Sequence, residues 1–286
     1  MGLKDLEGRT WVVTGANTGI GRVTAEVLAG RGAHVVLACR SEAKTRPVLD
    51  AIVAAGGSAE FLPIDLADLG SARAAAMTLR ERALPIHGLV NNAGLAAAGG
   101  LTTQGFEQTF GVNHLGPFVF TEHLLDALVA SAPSRVVFVA SKAHYRTSGI
   151  DWEKLRQPAR TPIAFPEYCV SKLCNVLYAS ELARRLEGRD VSTYSLHPGV
   201  VASDVWRSLP GPLRGVAKLF MLSNEDGAKT TLFCATDETL GHESGHYYDR
   251  CRVRTPSALA RDVALQDLLV AKSRAFASGF LDDAHT

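Results

Sequence analysis

Tyr168 and Lys172 are the two side chains in this sequence best spaced to move a proton. They stand four residues apart in a stretch of helical spacing, so both project from one helix face. A phenol titrates near about 10 unaided. A neighbouring ammonium favours the phenolate and is expected to bring proton exchange nearer neutral pH. Ser141 follows an apolar run and offers a hydroxyl that could bond a substrate oxygen. Tyr145 follows the same run, but position 149 is Gly, so it has no lysine at the same spacing and is set aside.

A second constellation could hold phosphate. Thr14-Gly15-Ala16-Asn17-Thr18-Gly19-Ile20-Gly21 closes an apolar run and opens a helical one. Glycines let backbone approach a pyrophosphate, and the helix N-terminus presents N–H groups and a positive dipole end. The strand-then-helix context gives this loop its weight; alone it would read as a tight turn. The next apolar run ends at Cys39-Arg40. Sites that select NAD place a carboxylate there for the ribose 2′-OH, whereas an Arg accommodates a 2′-phosphate. Arg40, with Lys44 one helical turn on, therefore favours NADP(H), with NAD(H) as the alternative. The bland reading is two solvated surface charges. Asp65-Leu66 ends the third run; Asp65 could accept a hydrogen bond from an adenine amino group or cap the following turn. Asn92-Ala93-Gly94 ends the fourth, leaving room for a flat ring or marking a turn.

The elements that must position these groups alternate. Strands are expected at Trp11 to Thr14, His34 to Cys39, Glu60 to Ile64, Ile86 to Asn91, Arg135 to Ala140 and Ser192 to Leu196. Helices are expected at Ile20 to Ala29, Glu42 to Ala55, Asp68 to Ala83, Gly105 to Ala130, Pro166 to Leu186 and Ser257 to Ser278. The alternation predicts an α/β Rossmann fold, a doubly wound, mostly parallel sheet with helices on both faces, in one domain spanning 1–286. Such a sheet binds ligands beyond its strand carboxyl ends, where every residue named above falls. Residues 204–223 mix Pro and Gly with apolar side chains and suit a lid or substrate segment.

Composition is that of an ordinary globular chain, with 47% apolar and 21% charged residues in 286. A formal charge of +1 offers no nucleic-acid footprint. Five cysteines without a C-x-x-C pair argue against a disulfide framework and for a reducing, cytoplasmic setting. No membrane span and no signal peptide are expected.

Taken together, TGxxxGIG (14–21), NNAG (91–94), the Ser after the fifth strand, YxxSK (168–172) and PG (198–199) resemble the short-chain dehydrogenase/reductase family. VLACR (36–40), GVNHLGPF (111–118), YCVSKLCNVLYASELARRL (168–186) and HPGVV (197–201) are similar to its retinol dehydrogenase branch. The resemblance covers nearly the whole chain. It implies hydride exchange between NADP(H) and a carbonyl or alcohol; separately, the apolar side chains of 205–222 suit either an apolar substrate pocket or plain packing. It implies a tetrad in which Asn113 kinks its helix and serves a proton relay to Lys172. Ser141 would position the carbonyl, Tyr168 would give or take the proton, and Lys172 would also hold the nicotinamide ribose near Asn92. Pro198, Gly199, Val201 and Ser203 would border the nicotinamide, Ser203 standing where the family often has Thr. It also implies a homodimer or homotetramer paired through the long helices that carry Asn113 and Tyr168.

Other readings are weaker. His242-Glu243-Ser244-Gly245-His246 fits the H-E-x-x-H zinc pattern, but that pattern needs a helix and two glycines interrupt here, so a turn into a strand is preferred. Ser41-Glu42-Ala43-Lys44 fits S-x-x-K without its partner motifs. A sensor or scaffold that binds NADP(H) without turnover would need only the glycine loop and Arg40. A sugar-nucleotide epimerase or dehydratase would carry TGxxGxxG, a different glycine spacing.

Overall fold

In the computed structural model, residues 4–96, 99–159, 164–199, 223–241 and 243–281 are described. Val201, Ser203, the expected lid up to residue 222, and His242 lie outside the described residues. The elements are β1 (Thr10–Thr14), α1 (Gly19–Gly30), β2 (His34–Cys39), α2 (Glu42–Ala54), β3 (Ser58–Pro63), α3 (Leu69–Glu81) and β4 (Gly88–Asn91). There follow a single turn α4 (Gln108–Phe110), α5 (Gly116–Ala130), β5 (Ser134–Val139), α6 (Phe165–Arg185), β6 (Val191–His197) and α7 (Asn224–Thr236). The chain closes with β7 (His246–Asp249), β8 (Arg252–Arg254) and α8 (Val263–Phe276).

The β1 run TWVVT and the more polar β6 run VSTYSLH bury every residue because both sheet faces are covered. Among the described residues the strands form one sheet in the order β3-β2-β1-β4-β5-β6-β7-β8, parallel from β3 to β7. This is the doubly wound sheet expected. One core, holding Leu79, Phe118, Leu177 and Leu269, packs α3, α5, α6 and α8 on one face. The other, holding Leu28, Val48 and Cys234, packs α1, α2 and α7. Helix starts follow capping chemistry: the side chains of Ser41, Asp68, Ser223 and Asp262 accept backbone N–H bonds from Lys44, Gly70, Asp226 and Leu265.

Four elements differ from expectation. The helix expected over 105–130 is broken: α4 passes into a π-helical turn, Gly111–Leu115, before α5 begins. The helix expected from 257 begins at Val263, because a 3-10 turn at Leu259–Arg261 precedes the Asp262 cap. Two elements were not expected. The helix α7 buries threonines (Thr230, Thr231) beside few apolar residues, so its apolar stripe is faint. The antiparallel β8 is three exposed residues, two of them arginines, which suits the blunted edge of a sheet. No helix among the described residues is long and apolar enough to cross a membrane.

Candidate active site

The strand order reverses between β1 and β4, which opens a crevice at their carboxyl ends. One side chain ties the two ends together. Thr14 Oγ1 accepts N–H bonds from Asn92 and Ala93, each 3.0 Å long, and donates to Val90 O at 3.4 Å. Asn92 Nδ2 donates back to Thr14 O at 2.9 Å. Gly15 then turns with φ +66°, and a Cβ there would lie 2.9 Å from Ala93 Cα. A Cβ on Gly21 would collide with Asn92 Nδ2 and Gly15 O. These glycines therefore leave backbone surface bare beside the start of α1. That helix begins without a side-chain cap from Thr18 and without an acid in its first turn, so its positive end carries no built-in anion.

Arg40 leaves β2 with a side chain 75% exposed, and its Nη1 lies 3.8 Å from Asp65 Oδ2. Lys44 lines the same cleft from the first turn of α2. Asp65 Oδ1 accepts from Ala67 N at 3.0 Å, so the turn-capping role holds, and the residue also borders the cleft beside Leu66. Of the S-x-x-K residues, Ser41 caps α2 and Lys44 faces the cleft.

At the other end of the crevice, β5 delivers Ser141 and α6 delivers Tyr168 and Lys172. Ser141 and Tyr168 line the same stretch of the cleft; the Ser141 hydroxyl accepts the Ala143 N–H at 3.2 Å and favours the phenolate of Tyr168. Tyr168 is 8% exposed and packs with Ala96, Ala143 and Cys169 in a small cluster apart from both main cores. Lys172 Nζ donates to Val139 O at 2.8 Å and lies 5.7 Å from the Tyr168 ring centre. The expected lowering of the phenol is corrected here. Burial raises Tyr168, and the Ser141 hydroxyl offsets that only in part. Burial also pulls Lys172 down, to about 8 from 10.5. Desolvation thus favours the neutral form of both groups.

The Lys172 shift carries a stability signature. The folded protein releases this proton at lower pH than the unfolded chain, so stability is expected to rise between about pH 8 and the ordinary 10.5. Below about 8 the group contributes no slope. Denaturant midpoints at about pH 7 and about pH 9.5 should show that rise in wild type and lose it in Lys172→Met.

Asn113 sits in the π-helical turn, so the implied kink is present. Its Oδ1 accepts from Leu95 N at 2.8 Å, and its Nδ2 donates to Leu95 O (2.9 Å) and Ser171 Oγ (3.0 Å). Its backbone carbonyl accepts from Asn175 Nδ2 at 2.8 Å. Asn113 thus couples the segment after Gly94 to α6 from behind the cleft wall. A Cβ on Gly94 would stand 3.2 Å from Asn113 Oδ1 and 3.4 Å from Lys172 Nζ.

One cleft of about 600 Å³ runs between the two ends. Gly15, Asn17, Thr18, Gly19, Ile20 and Gly21 line it, as do Asn92, Ala93, Gly94, Ser141, Tyr168, Lys172, Pro198 and Gly199. Leu95, Gln108, Val112 and His197 line it too; their residue types gave no signal of this in the sequence. A long, bent cleft with bare glycine backbone, an open helix N-terminus and Arg40 at one end fits a dinucleotide. Tyr145 is turned away, its hydroxyl donating to Thr255 O at 2.6 Å. Within the H-E-x-x-H segment, residues 243–245 form a loop and His246 begins β7, so these residues are not helical.

A family model described as short chain dehydrogenase matches residues 9–152, the part that carries the glycine loop, Asn113 and Ser141. The chain belongs to the short-chain dehydrogenase family. Retinol dehydrogenase 11 of Homo sapiens is 43% identical over 262 residues, 90% of this chain and 82% of that one. Dehydrogenase/reductase SDR family member 13 of Homo sapiens is 42% identical over 271 residues, 91% of this chain and 71% of that one. These relatives put this short-chain dehydrogenase in the retinol dehydrogenase-like branch. A crystal structure of a protein from Mycobacterium paratuberculosis matches with TM-score 0.78 and 32% identity, covering 96% of both chains. The 3-oxoacyl (acyl-carrier-protein) reductase from Agrobacterium tumefaciens C58, solved with NADP bound, matches with TM-score 0.69 and 26% identity over 86% of this chain and 93% of that one.

Proposed function

We propose that this short-chain dehydrogenase exchanges a hydride between NADP(H) and an apolar carbonyl or alcohol. The observation that carries the reading is Ser141 and buried Tyr168 at the wall of one cleft, with buried Lys172 one helical turn on and the glycine loop at the far end. The glycine loop and the start of α1 would hold the pyrophosphate, Arg40 and Lys44 the 2′-phosphate, and Asn92 and Lys172 the nicotinamide ribose. A bound nicotinamide supplies or accepts the hydride. Ser141 holds the carbonyl oxygen by its hydroxyl. Tyr168 gives its phenolic proton to that oxygen on reduction and takes it back on oxidation. Lys172, held by Val139 O, keeps a cationic donor beside the developing phenolate. Asn113 fixes the π-helical turn against α6 and so fixes the relative placement of these groups.

The names of the relatives support a retinoid-like substrate class, and NADP in solved neighbours supports the nucleotide. Titration of the protein with NADPH and NADH, followed by all-trans-retinal and a panel of apolar aldehydes, tests the reading. Preferential NADPH binding with cofactor oxidation is expected; failure to bind either nucleotide would overturn it. Arg40→Ala is expected to weaken NADPH by about 1.5 kcal/mol, roughly tenfold, and to leave NADH unchanged. Equal weakening of both would move the 2′-phosphate elsewhere.

A further inference from the structure

The peptide unit between Ser141 and Lys142 is gripped from both sides by imidazoles. His144 Nδ1 lies 2.7 Å from Ser141 O, and His197 Nδ1 accepts the Lys142 N–H at 3.4 Å. The carbonyl and the N–H belong to one rigid plane. The far side of His144 is tied down as well, where its Nε2 accepts the Ser257 N–H at 3.2 Å. We propose that His144 and His197 are positioning residues that clamp this plane and thereby aim the Ser141 hydroxyl at Tyr168. The proposal rests on the oxidoreductase reading above.

The partners fix the tautomers, because backbone groups cannot exchange roles. A carbonyl can only accept, so His144 must carry its proton on Nδ1. A backbone N–H can only donate, so His144 Nε2 and His197 Nδ1 must be bare. Both rings are therefore neutral, with His144 as the Nδ1–H form and His197 as the Nε2–H form. The surroundings agree. His144 is fully buried between the rings of Tyr145 and Tyr247, at 3.9 and 4.8 Å. His197 is 7% exposed at the end of β6. Burial drives both below the ordinary imidazole range, His197 to about 4. Around His197, the Asp249 carboxylate opposes that shift, while Lys142, His144 and Arg250 reinforce it. Lys142 Nζ itself is drawn to Asp249 Oδ2 at 2.8 Å, which anchors the same residue from its side-chain end.

A hydroxyl that must meet both a substrate oxygen and a phenol needs a fixed backbone. Ser141 lies at the junction of β5 with a 3-10 turn, Lys142–Arg146, where no strand pairing holds it. Local bonds cap the turn, Ala143 N to Ser141 Oγ and His144 N to Ser141 O, each 3.2 Å, and the two rings add restraint on the peptide plane from β6 and from the turn itself. A purely packing role would be indifferent to which ring nitrogen carries the proton and would be served by any ring of similar volume.

Two measurements decide. Long-range ¹⁵N–¹H spectra of the histidine-labelled full-length protein, assigned by comparison with the variants below, should show His144 as the Nδ1–H tautomer and His197 as the Nε2–H tautomer at neutral pH. The opposite tautomer or a cation at either ring would overturn the clamp. In steady-state reduction of all-trans-retinal by NADPH, His144→Phe and His197→Leu should lower kcat roughly tenfold to a hundredfold, with NADPH affinity unchanged in His144→Phe, whose ring does not line the cleft. His144→Asn keeps a donor and His197→Asn keeps an acceptor near the lost Nδ1, so each should restore most of kcat. Equal kcat in apolar and Asn variants, with melting points matched, would also overturn the clamp. Absence of turnover in wild type would fail the oxidoreductase reading instead, and the tautomer spectra would still judge the clamp.

Discussion

Tyr168→Phe is expected to lower kcat by roughly 10²- to 10⁴-fold while leaving NADPH affinity unchanged. The variant keeps the ring, and with it the packing against Ala96, Ala143 and Cys169 and the stacking on Phe165, whose ring centre is 6.4 Å away. What it removes is the phenolic oxygen at the cleft wall, the atom proposed to exchange the proton. Full turnover in a folded Tyr168→Phe protein would sink the proposed mechanism. The loss should appear in kcat and kcat/KM alike, because the bond to the substrate oxygen strengthens only as charge develops there.

Glu122→Ala is expected to cost about 3 kcal/mol of stability and to lower the melting point by roughly 6 °C or more. Glu122 lies on α5 with a carboxylate 3% exposed. It accepts from Tyr178 Oη at 2.6 Å, from Arg185 Nη1 at 2.9 Å and from Arg274 Nη2 at 2.7 Å. Burial alone would raise this carboxyl, but Arg185 and Arg274 outweigh burial and hold it below its usual range. One side chain thus joins α5, α6 and α8. Removing it takes a buried carboxylate from two guanidinium groups that are each still 26% exposed, and Arg185 keeps Glu181 at 3.2 Å, which is why the lower end of the usual cost is expected. Glu122→Gln keeps an acceptor and should lose less. An unchanged denaturation midpoint in Glu122→Ala would show that the arginines resolvate freely.

The catalytic end of the cleft was legible because its chemistry is local. Tyr168 and Lys172 are one helical turn apart, and the glycine loop is contiguous, so spacing alone brings them together. Asn113 was reached only through family resemblance. Its role depends on bonds to Leu95, Ser171 and Asn175, which lie far away in sequence. Thr14 was visible as a motif letter but not as the knot between β1 and β4, since a threonine closing a strand has no distinguishing pattern. His144 and His197 were silent for the same reason: a buried histidine announces neither its tautomer nor its partner. The direction of the Tyr168 shift was misjudged because sequence shows the neighbouring charge and hides the depth of burial. Helix α7 escaped because it covers the sheet with threonines and alanines rather than with an apolar stripe.

The long helices of the catalytic face are roofed by residues that come later in the chain. From 116 to 125 every residue of α5 is buried, and α8 with the segment after it supplies part of the cover, through Ser273 to His114, Phe280 O to His123 and Arg274 to Glu122. On the ribosome, α5 and α6 emerge before their cover exists. At the usual pace of translation the interval between α6 and α8 is on the order of ten seconds. A chain lacking α8 would leave this flank of α5 and α6 uncovered and is expected to aggregate more readily than the whole chain.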